Sequence, residues 1–488
     1  MKKIRKFLSL ALAAISATSV CAFAACNGND GSDDEGYIND MLEGIDFNVD
    51  LDYEGEVTVW YSQSASEEAM MNAFIKTFNK RYPNITVKAE GITGAQYQST
   101  IQKAANLNAL PDIYWISPQY TGLYDSWDCI LPLNAVMAKD DSFSKDSIAP
   151  ESIKCFEQQG ETWALPRDYN QVVLYYNKEM FDDAGVAYPS ATEAMSAQEF
   201  EKLMEDLYNG LANSTKTNVY GETYKESLVS VWDCTMTWDS LIWPLFKSFN
   251  GEIIRPDGTY MEDGKPIFNS KESVNALEWC LNLKKKGYIE GMCDLADSIA
   301  FKMEHSAMYT HMRCNMNDLI TPSGQYKGIS KLGVAPFPDI GDASSYYVGA
   351  GSTGYAIYKY TKNIVPAWLF LKSIVSEEAQ EELSKTGYAT PCNQALLEDP
   401  NAEWAKWTNE KICEGYNAPF IYKKQEAYTH VNDFLQYIHL DYQNSVYFDM
   451  TTLYDQAVSV ATSRTGIEEF MTMFSNRIAN YITEGKKV

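Results

Sequence analysis

Apolar positions in this chain keep two periods that take turns. Val57–Tyr61 (VTVWY) is a short β-branched and aromatic run of strand type. Met70, Ala73, Phe74, Thr77 and Phe78 then recur at helical spacing, behind a Ser64-Ala65-Ser66-Glu67 segment that fits a capping box and ahead of Pro83, which stops the helix. Ile85–Ala89 reads as a second strand, Tyr97, Ile101, Ala104 and Ala105 mark a second helix, and Ile113–Ile116 is a third strand after Pro111-Asp112. Strand, helix, strand, helix, strand at this spacing predicts right-handed βαβ units on a parallel sheet. Ligands of such sheets sit beyond the carboxyl ends of the strands. Those ends are Ser62, Gln63 and Ser64 after the first strand, and Ser117, Gln119 and Tyr120 after the third.

The pattern changes at Glu161–Pro189. Leu165-Pro166 ends an extended run, Asp168, Tyr169 and Asn170 form a polar knot, and Val172–Tyr176 is a buried strand. Lys178–Ala184 has room for one or two helical turns, which Gly185 stops. A polar knot between two buried strands predicts a crossing between lobes, with side chains delivered into the gap. Beyond it, Trp238–Asn250 and a helix from Ser270 (Val274, Leu277, Cys280 and Leu281 inward, Gly287 as stop) belong to a second lobe, with a strand at Ala307–Thr310 and a turn or helix start at Asn315–Leu319. Gly333–Pro338 leads back to Gly349–Lys359, and one long helix is expected around Pro366–Ser384. Thr465-x-x-Glu468 caps a final helix with Ile467, Phe470, Met471, Phe474 and Ile478 as its apolar stripe. Gly349-x-Gly351-x-x-Gly354 matches the dinucleotide fingerprint in letters, but Tyr355–Tyr358 after it is strand, and the fingerprint needs a helix there. It is read as a tight Gly-rich turn at the cleft, where Gly351 lets backbone approach a ligand.

Charge narrows the partners. The N-terminus carries Lys2, Lys3, Arg5 and Lys6, then an apolar run to about Ala25, which is a secretory signal peptide rather than a membrane span. Two cleavage readings stand: an ordinary site at Ala22-Phe23-Ala24, and a lipobox at Phe23-Ala24-Ala25-Cys26 that leaves Cys26 as a lipidated first residue. Residues 27–35 supply the polar tether a lipoprotein needs, which favours the lipobox. Losing the leader's four basic residues takes the chain from −26 to −30. Such an acidic chain is repelled by nucleic acid and by anionic lipid. The cysteines stand singly, and with four histidines they make no zinc-type spacing, so neither a metal nor a cofactor is expected.

The segment Trp163, Leu165, Pro166, Leu174, Tyr175, Tyr176, Asn177, Lys178, Phe181, Ala184, Gly185 and Pro189 resembles a signature of extracellular solute-binding proteins, the sugar-type receptors of ABC importers. Ala367-Trp368-x-Phe370-Leu371 and Glu378-Ala379-Gln380 resemble further pieces of it, whereas Pro400–Tyr442 matches nothing recognised. The resemblance implies an α/β, two-lobed clamshell of the periplasmic-binding-protein type II, with several crossovers between lobes. It implies a monomer that captures a carbohydrate and docks on a membrane permease, without chemistry of its own. The expected division is leader 1–25, lipidated Cys26 and flexible tether to 53, a first lobe from 54–170 and 345–395, and a second from 171–344 and 396–488.

A sugar ring offers an apolar face and a rim of hydroxyls, which aromatic rings and planar polar groups satisfy respectively. The expected cleft therefore takes Ser62, Gln63, Ser117, Gln119 and Tyr120 from the first lobe, Asp168, Tyr169 and Asn170 from the crossing, and Gly351 from the return. From the second lobe it takes Trp238, Asp239, His311, Arg313 and Tyr447. The resemblance places ligand contacts just ahead of a Trp-Pro step, here Trp243-Pro244, which singles out Trp238; Trp163, Trp243, Trp368 and Phe370 are assigned to packing. At 308–314 relatives commonly carry a Gly and a stacking Trp, and this chain has His311 and Arg313 instead, read either as an exposed polar turn or as a more polar subsite. Two other functions stay open. Asp168 and Asp239 are a carboxylate pair that would suit a glycosidase, and a small non-sugar solute is a third possibility.

Overall fold

The computed structural model describes residues 32–236, 238–290, 298–411, 417–429 and 463–485. By its contacts the chain divides into two units, 1–45 and 46–488. The described element of the first is a helix, Ser32–Leu42, where the sequence reading expects flexible tether. The leader, Cys26 and Tyr447 lie outside the described residues.

In the larger unit, the strands Gly55–Gln63, Ile85–Thr93 and Ile113–Ile116 are parallel, with Gly55–Gln63 in the middle. Helices Ala65–Arg81 and Gly94–Asn106 connect them and bury Met70, Ala73, Phe74, Thr77, Phe78, Tyr97, Ile101 and Ala104. Asp112 staples this sheet. Its Oδ2 accepts from the backbone N–H and the hydroxyl of Thr58, each at 2.8 Å, and its Oδ1 from Thr361 at 2.5 Å and Asn363 at 3.1 Å. The sheet is mixed rather than wholly parallel. Gly354–Ile357 adds antiparallel to Ile113–Ile116, and Leu165–Pro166 adds antiparallel to Gly354–Ile357.

A second sheet runs Leu332–Pro336, Val173–Asn177, Met308–His311, Trp232–Asp233. It is antiparallel except where the last two strands pair. Its core takes the stripe of the final helix Arg464–Gly485 (Ile467, Phe470, Met471, Phe474 and Ile478) together with Phe268, Val274, Leu277 and Cys280. That last helix begins after Ser463, whose hydroxyl accepts from the Gly466 N–H at 3.3 Å; the expected cap partner Glu468 instead accepts from Arg464. The expected long helix at 366–384 is two helices, Ile364–Ile374 and Glu377–Ser384. Ser376 breaks it by capping the second, accepting from the Ala379 N–H at 3.3 Å.

Two passages of the chain between the sheets lie side by side. Going out, the chain passes from Leu165–Pro166 through Asn170–Gln171 to Val173–Asn177; returning, from Leu332–Pro336 through Val348–Gly351 to Gly354–Ile357. Asn170–Gln171 pairs antiparallel with Gly351–Ala350, and Ala427–Tyr428 flanks the other edge of Val348–Gly351. The Gly-rich segment is thus extended strand that changes sheets at Ser352-Thr353, not the expected tight turn. Gly349 and Gly354 are required by close approach. A β-carbon on Gly349 would fall 1.8 Å from the Ser240 carbonyl oxygen, and one on Gly354 2.4 Å from that of Leu165. The first of these contacts has a cause in the neighbouring helix, Asp239–Ser248, which contains Pro244. Proline has no N–H to give the carbonyl four residues back, so the Ser240 carbonyl is left out of the helical ladder and faces the strand.

Of the six described cysteines all are free thiols, and all but Cys314 are buried.

Candidate functional site

The crossings place a compact charge cluster beside the carboxyl ends of the parallel strands. Arg167 forms ion pairs with Asp168, at 2.8 Å, and with Glu67 of the first helix. Side-chain exposure is 6% for Arg167, 0% for Asp168 and 13% for Glu67. Burial alone would pull the guanidinium down, yet the two carboxylates hold it well above its ordinary pKa. Burial raises Glu67 although Arg167 opposes it. The Ser352 hydroxyl donates to the Asp168 backbone carbonyl at 2.5 Å and lies 3.2 Å from its Oδ1. Backbone N–H groups of Arg167, Tyr169 and Val172 bond to the carbonyls of Thr353, Thr390 and Gly349, each at 2.9 Å, and this fixes the whole segment.

Around this cluster stand polar atoms that are buried and lack a protein partner: Glu67 Oε2, Asn170 Oδ1, the Tyr355 hydroxyl and Trp115 Nε1. Trp115 and Tyr355 are cross-strand neighbours in register. Tyr355 is fully buried, and Glu67 heads the charges that, after burial, raise its hydroxyl pKa. Leaving a buried polar group unsatisfied costs about 1–3 kcal/mol, so these four are candidates for contact with a bound solute or water.

On the second-sheet side, Trp238 and His311 stack with centroids 4.7 Å apart and planes 11° from parallel. Tyr309 continues the stack behind His311 at 5.8 Å. Trp238 is partly exposed and caps the helix Asp239–Ser248. Asp239, its first residue, has no hydrogen bond or ion pair among the described residues, and burial pushes its carboxyl well above the usual range. Burial, then the Asp239 charge, raise the hydroxyl of Tyr120 in the turn Pro118–Tyr120 of the first sheet.

The expected site residues thus fall into three groups. Asn170, Gly351, Trp238, Asp239, His311 and Tyr120 come together around the two crossings. Ser62, Gln63, Ser117 and Gln119 stand, partly exposed or exposed, at the ends of adjacent parallel strands, with Ser117 donating to Gln119. Asp168, Tyr169 and Arg313 lie behind the wall and need correcting. Asp168 is spent on Arg167 and Ser352, and the Tyr169 hydroxyl donates to Gln171 at 2.8 Å. Arg313 is fully buried, gives hydrogen bonds to the carbonyls of Ala389 and Trp404, and is lowered to about 10 by burial. The strand Met308–His311 ends at His311 and Arg313 opens a short helical turn, so the alternation that would put both side chains on one face does not reach Arg313.

Sequence reasoning missed Glu67, Arg167, Trp115, Tyr355 and Ser352. Glu67 is read there as half of a capping box. Its N–H does bond to Ser64 Oγ at 3.1 Å, but its carboxylate goes to Arg167 instead. Arg167, a cation next to the polar knot Asp168–Asn170, is the signal that could have pointed to a pairing.

Residues 73–411, more than half the chain, match the family described as bacterial extracellular solute-binding protein. Among solved structures, the ABC substrate-binding protein Lmo0181 from Listeria monocytogenes, in complex with cycloalternan, superposes with a TM-score of 0.67 at 16% identity, over 88% of this chain and 99% of that one. The cyclic alpha-maltosyl-1,6-maltose binding protein of Arthrobacter globiformis gives 0.67 at 15% identity, covering 88% and 100%. The GacH receptor of Streptomyces glaucescens, known with acarbose, gives 0.65 at 18%, covering 88% and 100%. At these identities the likeness is one of fold, the two-lobed type II arrangement of substrate-binding proteins. Two sheets joined by paired crossings, a polar and aromatic site beside those crossings, and a family match over residues 73–411 agree: the chain belongs to the bacterial extracellular solute-binding protein family.

Proposed function

We propose that this protein is the receptor of an ABC importer that captures an oligosaccharide between its lobes and hands it to a membrane permease. The observation that carries the reading is the Trp238–His311 stack set near four unpartnered polar atoms. A flat ring meets the apolar face of a sugar, and planar acceptors and donors meet its hydroxyls. The solved proteins of this fold quoted above bind cycloalternan, acarbose and a cyclic maltosyl-maltose, which supports a glycan of several rings. Ser62, Gln63, Ser117, Gln119, Tyr120, Asn170, Gly351, Trp238, Asp239 and His311, with Glu67, Arg167, Trp115 and Tyr355 added, are assigned to the cleft. Tyr447 keeps its sequence assignment. The first lobe takes 54–170 and 345–395, the second 171–344 and 396–488. The protein acts as a monomer, without catalysis, and Cys26 carries a lipid that holds it at the outer face of the cytoplasmic membrane. A glycan-library thermal-shift screen tests this, because a ligand that binds the native state alone raises the melting temperature. Binding of a labelled oligosaccharide without turnover is expected; its cleavage would make the protein an enzyme instead.

A further inference from the structure

We propose that His311 is a positioning residue: it backs Trp238 so that the indole offers the solute one fixed face, and it makes no contact with the solute itself. The inference rests on the oligosaccharide reading and assigns how its aromatic surface is held. Other tryptophans of the chain are held by their ring N–H. Trp232, Trp368 and Trp404 are buried and donate it to Thr310, Asp140 and the Leu396 carbonyl, at 2.8, 2.7 and 2.8 Å. Trp238 is partly exposed, and among the described residues its ring N–H has no partner. Its backbone is set, because its carbonyl accepts from the N–H groups of Leu241 and Ile242 at 2.8 and 3.0 Å. That leaves both side-chain torsions open. The ring stacked on it among the described residues is His311, 4.7 Å away and 11° from parallel.

The backing is built into the second sheet. Side chains two apart on a strand share a face, and Tyr309 and His311 stand two apart on Met308–His311. Their rings stack at 5.8 Å and 14°. Tyr309 in turn stacks with Phe301 at 5.8 Å and 23°, and with Tyr175, its partner on the neighbouring strand, at 6.3 Å and 20°. Phe301, Tyr175 and Tyr309 are buried, and the Tyr309 hydroxyl accepts from Asn315 at 3.0 Å. A run of near-parallel rings thus leads from the core to Trp238, and His311 is its last member before the indole. The imidazole is stacked on two rings at once, and its Nδ1 lies 3.9 Å from the Cys314 thiol. What it supplies to Trp238 is a flat plate on a rigid support. A ring fixed in advance loses less rotamer freedom when a solute arrives. The indole then meets the solute with the face turned from His311, and its N–H is left to donate to a hydroxyl at the edge of a sugar ring.

The test uses the full chain. The probes are acarbose, cycloalternan and linear gluco-, galacto- and manno-tetraoses, screened by thermal shift, and the tightest goes into calorimetry. His311→Ala is expected to weaken that probe about fivefold or more by freeing the indole. His311→Phe, which restores the plate without the nitrogens, should recover most of the loss, to within about threefold of the wild type. In a Trp238→Ala background, His311→Ala should change affinity less than about twofold, because a residue that acts through the indole has nothing to act on once the indole is gone. Equal losses in His311→Phe and His311→Ala, wild-type binding by His311→Ala, or losses that add in the double variant would each overturn the proposal and leave the oligosaccharide reading intact. Should His311→Ala fail to fold, His311→Gln takes its place: it keeps a hydrogen-bonding group and loses the plate, so it should bind more weakly than His311→Phe, and the reverse order would overturn the proposal. If no probe binds the wild type, the oligosaccharide reading falls and the positioning is judged without solute. The share of Trp238 in the near-ultraviolet circular dichroism, taken by difference from Trp238→Phe, should persist in His311→Phe and vanish in His311→Ala; a share unchanged in His311→Ala would sink it.

Discussion

Trp238 supplies an aromatic face of the proposed cleft. It is partly exposed, backed by His311, and placed where it can lose water against a ligand ring. Trp238→Ala should weaken solute binding by about 1–3 kcal/mol, the worth of an aromatic contact area, with folding unchanged by circular dichroism and the loss read by calorimetry. Arg167 is a different kind of residue. Removing it strands Glu67 and Asp168 in the interior, so Arg167→Ala should cost about 3–5 kcal/mol of stability, read as a lower midpoint in urea. A wild-type midpoint would show that the pair is not tightly buried. The contrast explains what sequence does and does not reveal at this scale. Trp238 was singled out by the resemblance, which places ligand contacts just ahead of a Trp-Pro step, and the fold leaves it partly exposed against His311. Asp168 was legible as a polar residue at a crossing but not in its role, because its partners, Arg167 beside it and Ser352 from the returning strand, are chosen by tertiary packing. Glu67 was hidden for the same reason: a local cap and a distant guanidinium compete for one carboxylate, and only the fold decides between them.

At the scale of elements, two short segments set the geometry. The strand Val348–Gly351 and the helix Asp239–Ser248 meet at Gly349 and Ser240, with no room for a methyl group. Gly349→Ala should therefore force strand and helix apart, at a cost of about 1–3 kcal/mol from overpacking, and shift Trp238 and Asp239 with the helix. Both a lower melting temperature and weaker binding are expected; an unaltered pair of values would mean the contact is slack. Elements with one strong period were legible. Ile113–Ile116 and Lys178–Ala184 have the bounds the pattern predicts, with Gly185 in the left-handed conformation at φ 69° as the stop. Elements whose ends depend on a single polar side chain were not: Ser376 divides an apolar run into two helices, and the acidic stretch at 32–42 becomes a helix although its composition suggests tether.

For the whole molecule, we infer that the paired crossings act as the hinge. Two antiparallel segments bonded to each other bend together more readily than they slide. Addition of a verified ligand should reduce the radius of gyration in solution scattering; an unchanged radius at saturation would argue against closure. Cys26→Ala should move the protein from the membrane fraction to the medium, and a wild type already found only in the medium would remove the anchor from the picture. Closure also has an optical side. Trp163, Trp232, Trp243, Trp368 and Trp404 are buried in the cores, where their surroundings change little as the lobes move. Trp238 lies at the proposed cleft with the His311 ring stacked on one face, so its emission responds to what covers the other. The protein therefore carries its own optical gauge: solute entering the proposed cleft alters the emission of Trp238 and Trp115 over that of the core tryptophans, and the occupied fraction is readable in the native chain without a dye.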